Sequence, residues 1–324
     1  GEESNDPDAE TVFWNTITVA VMRRPWISLI AASIILLILG SYYLELEKGT
    51  SGISVLPDEI PAKQGFQTLD EKFGFGSDAP ALVVIEGDVG SDAFVTALTT
   101  LEQSIIDDNG LQAPQVRIEP SVNLASFTSN IPGDPQNQSA LNTIRRIRAD
   151  LIPDAFIGVP EGSYTAYVGG SSAEVVDSVK VTDDYLPIVF ASVLSLSFIL
   201  LLFAFRSLVI SIASIVMNLL SVAAAYGLVV LVFQKGFLID VFGFEQVDQI
   251  EFWLPLFMFS ILFGLSMDYH VLMLSRIKER YDETGLAAES VKFGLRRTAS
   301  IITGAALIMV AVFGGFALGD IAFF

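Results

Sequence analysis

The sequence predicts a membrane α-helical bundle of five transmembrane helices joined to an α+β domain of the split βαβ kind, which lies outside the cytoplasm between the first and second helices. Three observations carry this reading. Apolar residues make up 52% of the 324 positions and charged residues only 17%, below the roughly 25% of an ordinary soluble domain. The apolar residues gather in five runs, each near the roughly 20 residues that a helix needs to cross a bilayer. The formal charge of −19 is concentrated in residues 47–184, which hold 21 acidic against 8 basic side chains. Apolarity and acidity therefore occupy different stretches of chain.

In chain order, residues 1–25 read as an acidic linker, GEESNDPDAE, followed by an interfacial amphipathic helix. Phe13, Ile17 and Val21 recur every four residues there and would line one stripe of a helix lying on the membrane surface. Residues 26–46 are the first transmembrane helix, built around WISLIAASIILLILGSYYL. Arg23 and Arg24 precede it as they would in a secretion signal, but the tail before them is acidic and no small-residue cleavage site follows.

Residues 47–184 are long enough for a folded domain. Alternation at 81–86, 116–118 and 164–168 reads as strands, and helical spacing appears at 65–73, 92–106, 139–151 and from Ser172 onward. Strand and helix take turns, which is the pattern of a split βαβ sandwich. Residues 130–138 (NIPGDPQNQ) are punctuated by Pro and Gly and read as an exposed joint. The last helix passes through Asp183 and Asp184 straight into the second apolar run, a connection that would transmit movement between domain and membrane.

Residues 185–324 hold the other four spans, at about 186–205, 208–233, 252–274 and 301–318. Basic residues flank one set of their ends: Arg23, Arg24, Arg206, and Arg276, Lys278, Arg280, Lys292, Arg296 and Arg297 between the last two spans. The loop after the third span carries Asp240, Glu245, Asp248 and Glu251 against Lys235. The basic ends therefore face the cytoplasm, and the acidic loop and residues 47–184 face out. The cytoplasmic loop 275–297 mixes acids and bases at helical spacing, as in Lys278 and Asp282, and reads as a surface helix.

Several functions are excluded or disfavoured. With 18 basic residues against 37 acidic ones, the chain is no nucleic-acid binder. Without cysteine it has no thiol nucleophile or thiolate metal site, and a single histidine, His270, rules out a multi-histidine centre. No cofactor or metal is expected. The outer segment has no histidine, no G-x-S-x-G elbow and no phosphate-binding glycine loop. The adjacent acids Asp107 and Asp108 read as a solvated surface pair.

One charge falls inside a span. Asp268 sits a few residues past the middle of the fourth apolar run, in FGLSMDYH. A carboxylate there costs about 2.5–3.5 kcal/mol on insertion scales and usually turns to the bundle interior. An apolar surrounding favours the neutral acid, which suits the group to load and release a proton. The alternative is a structural Asp satisfied by a hydroxyl or a backbone group. Gly264, one turn earlier on the same face, would admit a neighbouring helix, and Tyr269 would hydrogen-bond a carboxylate on a partner helix. His270 reads either as an interfacial histidine or as support for the relay. Ser300 and Thr303 would offer hydroxyls to the fourth span, and Ala311, Gly315 and Gly319 form a small-xxx-small row for helix packing.

The run FGLSMDYHVLMLSRIKERYDETG, followed by AAESVKFGLRRTASIITGAALIMVAVFGGFAL, resembles the MMPL lipid transporters of the resistance-nodulation-division (RND) superfamily. The resemblance extends to YVGGSSAEVVDSVKVTDDYLP before the second span and SVLPDEIPAKQGFQTLDEKFG after the first. It implies a ferredoxin-like porter domain at 47–184 and a bacterial cytoplasmic (inner) membrane location. By that likeness the five spans correspond to helices seven to eleven of twelve, a C-terminal half lacking the last transmembrane helix. Parallel repeats of this kind place coupling sites near the membrane midplane. The resemblance further implies export of lipids or other hydrophobic molecules driven by the proton-motive force, with Asp268 and Tyr269 in the proton relay. A missing N-terminal half or a partner subunit would supply a second Asp-Tyr pair, so the chain reads as a fragment or as a half-size protein. The competing expectation is a non-transporting accessory or assembly subunit of a larger membrane complex.

Overall fold

The computed structural model describes residues 9–50, 52, 56, 59–73, 79–242 and 246–316. The acidic start 1–8 and the stretch 317–324, which includes Gly319 and the end of the fifth apolar run, lie outside the described residues. Helix α1 spans Ala9–Arg23. Its stripe Phe13, Ile17 and Val21 is exposed and its Thr18 is buried, in a helix that packs against the last helix of the chain. Pro25, at a first-turn position where no N–H is needed, opens α2 (Pro25–Ser41), which continues into a 3-10 turn over Tyr42–Glu45.

The α+β domain follows: β1 (Lys48–Gly49), α3 (Pro61–Phe73), β2 (Ala81–Gly87), α4 (Asp92–Asp107), β3 (Gln115–Glu119) and β4 (Leu124–Ser129). Next come α5 (Gln138–Arg146), which runs through a π-type turn at Ile147–Leu151 into α6 (Ile152–Ala155), and then β5 (Tyr164–Gly169). The strands β2 to β5 form one antiparallel sheet in the order β3-β4-β2-β5. The element order from β2 to β5 is thus βαββαβ, with both helices on one face. Alternation decides that face: Val83 and Ile85 of β2 and Ala125 and Phe127 of β4 point inward. They meet Phe94, Leu101 and Ile105 of α4 and Leu141 and Ile144 of α5 in one core.

Strand β4 is absent from the sequence expectation. Its residues, LASFTS, bury Ala125, Phe127 and Ser129, and a strand whose inward positions are two small side chains and one phenylalanine gives little apolar alternation to read. The stretch between β4 and α5 is a loop, as its Pro and Gly residues predict. Asp108 departs from the surface reading. Its side chain is 9% exposed and accepts two hydrogen bonds from Arg146, Nε to Oδ2 at 2.6 Å and Nη2 to Oδ1 at 2.7 Å. The guanidinium holds the Asp108 carboxyl below the usual carboxylate range, against the opposing effect of burial.

Helix α7 (Ser171–Phe205) is continuous over 35 residues, from the domain's sheet through Pro187 to the far end of the bundle. Arg148 clamps its domain end by pairing with Asp177 and donating to the Val168 carbonyl at 2.6 Å, and Lys48 pairs with Asp183. A left-handed Arg206 (φ 51°) turns the chain into α8 (Leu208–Val229). The short α9 (Ile239–Phe242) and β6 (Ile250–Glu251, parallel to β1) precede α10 (Leu254–Thr284) and α11 (Ala287–Phe316). Among the described residues five helices are long and apolar enough to span a membrane.

The fold corrects the expected cytoplasmic loop at 275–297. Rather than carrying a separate surface helix, α10 runs on to Thr284 and α11 starts at Ala287. Gly285, at φ 65°, reverses the chain in the left-handed conformation that glycine adopts without strain. The charges along this hairpin pair with one another, as in Arg280 with Glu283 and Glu289.

Candidate functional site

Helix α10 presents its ring-bearing stripe to the bundle. Phe259 and Phe263 are buried, and with half-buried Met267 they pack on Phe190, Val193 and Leu194 of α7 and on Val222 and Tyr226 of α8. Phe190 stacks on Phe259 with ring centroids 3.8 Å apart. The Tyr226 hydroxyl donates to the Pro255 carbonyl, and its ring stacks on Tyr43 at 5.1 Å. These contacts lock the domain-side ends of α2, α8 and α10 together.

Asp268 is the residue after Met267, about 100° further round the helix. It is exposed, as is Gly264, and no heavy atom of the described residues lies within 4 Å of where a Gly264 Cβ would sit. The expectation that Asp268 turns inward therefore does not hold within this chain. Its aromatic neighbours have taken the side of α10 that faces α7 and α8. Tyr269 and His270 are half-buried.

Helix α11 packs antiparallel to α10, and the two come close at Gly294, where an added Cβ would overlap the Ile277 side chain. Equal rise on both helices from that point brings Thr303 level with Asp268. The Thr303 hydroxyl donates to its own helix, to the Ala299 carbonyl at 2.8 Å, and Ser300 is exposed. Among the described residues neither hydroxyl bonds Asp268. Ala311 and Gly315 are exposed, and none of the described residues comes within 4 Å of a Cβ on Gly315. A seam of close approach lies between α2 and α8. Gly40 is 3.3 Å from the Ala223 Cβ by its own added Cβ, and a Cβ on Gly227 would overlap the Leu39 carbonyl.

Two groups that sequence reasoning missed stand out. The first is Asn218 in α8, 2% exposed, with neither its amide nitrogen nor its oxygen hydrogen-bonded among the described residues. Ser211 and Ser214 are buried on the same face. The spacing of Ser207, Ser211, Ser214 and Asn218, in steps of four, three and four, is the available signal. The second is Gln249, 5% exposed. Its amide donates to the Thr50 carbonyl at 2.7 Å and to the Gln136 carbonyl, and its oxygen accepts from Gln138 at 3.0 Å. Gln249 thus ties the strand after α2, the loop before α5 and the segment leading into α10. Beside this junction an open groove of about 700 Å³ is lined by Gly169, Gly170, Glu174, Asp177, Val181 and Phe252, among others.

Known proteins give the family context. The MMPL family profile matches residues 123–324. The chain is 34% identical over 314 residues to a protein of Mycolicibacterium smegmatis named as the mycolic acid-containing lipids exporter MmpL11, covering 95% of this chain and 32% of that one. It is 33% identical to a Mycobacterium tuberculosis protein named as the heme uptake protein MmpL11, over 94% of this chain and 31% of that one. It is 24% identical to the trehalose monomycolate exporter MmpL3 of M. smegmatis, over 97% of this chain and 31% of that one. The chain spans about a third of the length of these relatives.

Proposed function

The chain belongs to the MMPL family and is a multi-pass bacterial membrane protein, and from that premise we propose that it is one half of an exporter that moves lipids or other hydrophobic molecules across the cytoplasmic membrane at the expense of the proton-motive force. Relatives named as lipid exporters support the cargo class. The observation that carries the mechanism is Asp268, a carboxylate in the interior of a membrane-spanning helix, on a face that nothing in the described chain covers. A charge in that position is costly and marks a pathway. With Gly264 one turn away leaving room for close approach, this face suits a helix from the missing half or a partner subunit that brings its own Asp-Tyr pair.

On this reading Asp268 is the proton-carrying group, Tyr269 donates to the facing carboxylate, and His270, Thr303 and Ser300 line its surroundings. The domain at 47–184 acts outside the cytoplasm as a ferredoxin-like porter, which the βαββαβ order of its sheet supports. Two links would convert protonation into domain movement. One is α7, continuous from sheet to membrane, and the other is Gln249, which joins the N-terminal approach of α10 to the domain.

Replacement of Asp268 by Asn in the intact protein is the test. It keeps size and polarity but removes the titrating group, and export measured in cells or vesicles should fall by at least about 100-fold, as for loss of an essential proton carrier, with normal folding and membrane insertion. Wild-type export in that variant would sink the relay.

A further inference from the structure

The amide of Asn218 is 2% exposed and has no partner among the described residues in the middle of a membrane helix. A buried amide without hydrogen bonds is costly in an apolar surrounding, and such groups in native proteins are satisfied by ordered water. We propose that the buried stripe Ser211, Ser214 and Asn218 of α8 holds a file of water, open toward the basic end of the bundle, that carries protons to and from the depth of Asp268. This rests on the relay reading above and extends it by naming the path on one side.

Two independent alignments place Asn218 and Asp268 at one depth. At the outer end, Val229, Phe233 and Leu254 gather round Val247 and Ile250. Asp268 is 14 residues inward of Leu254, and Asn218 is 11 and 15 inward of Val229 and Phe233; at 1.5 Å per residue these are about 21 Å, against about 16 and 22 Å. At the basic end, the Lys278 ammonium donates to the Ala204 carbonyl at 3.0 Å, beside the turn at Ser207. Asp268 is 10 residues inward of Lys278 and Asn218 is 11 inward of Ser207, about 15 and 16 Å.

The polar stripe ends at that depth. On the same face of α8, the positions beyond Asn218 are Val222 and Tyr226, packed in the cluster of Phe259 and Phe263 and roofed by the Phe190–Phe259 stack. Water would therefore reach the depth of Asp268, which lies on the opposite face of α10, from the basic side and be stopped from passing to the outer side. On α10, His270 continues the stripe of Phe263 and Met267 toward α8. Besides His270, the ionisable groups level with the path are Asp268, on the far face of α10, and Tyr269 at the depth of its inner end, and Lys278 and Arg206 at its mouth. Each proton hop breaks one O–H bond and forms another on the next oxygen, so waters and hydroxyls are regenerated and the net change is one proton moved.

The chain contains no cysteine, so single thiols report the path. Ser214→Cys, Asn218→Cys and Val222→Cys, each in the intact protein made otherwise cysteine-free, would be exposed to silver ion, which is water-sized, from the basic side or the outer side of vesicles. Blocked thiols are then counted by alkylation in detergent. Blocking at 214 and 218 at least tenfold faster from the basic side, with 222 slow from both, is expected. Slow reaction at 214 and 218, or reaction as fast at 222, overturns the water file. Asn218→Leu should cut proton flux by at least tenfold at an unchanged or higher melting temperature, and Asn218→Ser should keep at least half of it. Wild-type flux in Asn218→Leu removes the proton role. If Asp268→Asn abolishes export while the thiols at 214 and 218 stay unreactive, this path alone fails; if Asp268→Asn exports normally, the relay reading falls and the proton role of the stripe with it.

Discussion

In the α+β domain Ile85, Leu101, Leu141 and Ile144 are fully enclosed, whereas α2 buries no residue at all and Ile35, Leu37 and Ile38 each expose 59% of their surface. Both regions are apolar, yet only one has closed its core. The difference lies in the solvent. In water the domain must hide its apolar surface to fold, while in lipid an apolar helix face needs no cover, and packing is driven by close approach and polar contacts. Burial consequently reads as stability in the domain. In the bundle the informative positions are glycines at seams and polar groups out of place.

The largest effect that tests this contrast comes from paired truncations. Phe127→Ala empties the domain core and should cost about 3–5 kcal/mol, whereas Ile35→Ala on the lipid face should stay within about 0.5 kcal/mol, both measured by unfolding of the intact protein in a bilayer mimic. Equal losses would break the comparison. Within the bundle the same logic separates two glycines. Gly227→Val drives a side chain into the Leu39 carbonyl and should cost about 1–3 kcal/mol. Gly315→Val, with none of the described residues within 4 Å, should be nearly silent in this chain, and a large loss there would mean that an unseen neighbour fills that face.

That contrast also explains what the sequence revealed. The five spans were legible because their runs are long and their ends charged, and α7 was legible as one rod because its helical pattern never breaks between Ser172 and Phe205. Strand β4 was not, because its inward Ala125 and Ser129 carry no hydrophobic signal and its place is set by pairing with β2 and β3. The hairpin at Gly285 was hidden by a charge pattern that fits a surface helix equally well. At the candidate site, Asp268 announced itself by type, but its orientation depends on which face of α10 the aromatic residues occupy. Asn218 and Gln249 were overlooked because an uncharged amide alters hydropathy little, and their meaning comes from partners far apart in sequence: Thr50 and Gln136 for Gln249, and for Asn218 the absence of any among the described residues.

Gln249 lies where the two regions meet, so its replacement tests whether they act as one body. Gln249→Ala leaves the Thr50 and Gln136 carbonyls without their donor and should cost about 1–2 kcal/mol. The sharper expectation is functional: export should fall several-fold while proton flux through the bundle is retained, because the link to the domain is loosened and the relay is untouched. Parallel loss of both would place Gln249 in the bundle's own stability.

The smallest expected effect belongs to the domain alone and depends on pH. In the native state the Asp108 carboxyl is held below its usual range, first by the Arg146 guanidinium and also by the Gly110 N–H, which donates to Oδ1 at 2.8 Å. An unfolded aspartate titrates near about 4. Above that pH both states are ionised and the pair contributes fully; as pH falls through the lowered native value the unfolded chain binds a proton first, and the contribution is lost. Asp108→Asn removes the titrating group while keeping the shape. The variant should melt lower than the wild type near neutral pH, by the equivalent of about 1 kcal/mol for a partly exposed pair, and the gap should shrink once pH drops below about 4. Because the pair lies wholly within the α+β domain, proton flux through the bundle should be the same in both proteins across this range. A pH-independent gap, or a flux that tracks it, would mean that the two regions do not separate as their packing indicates.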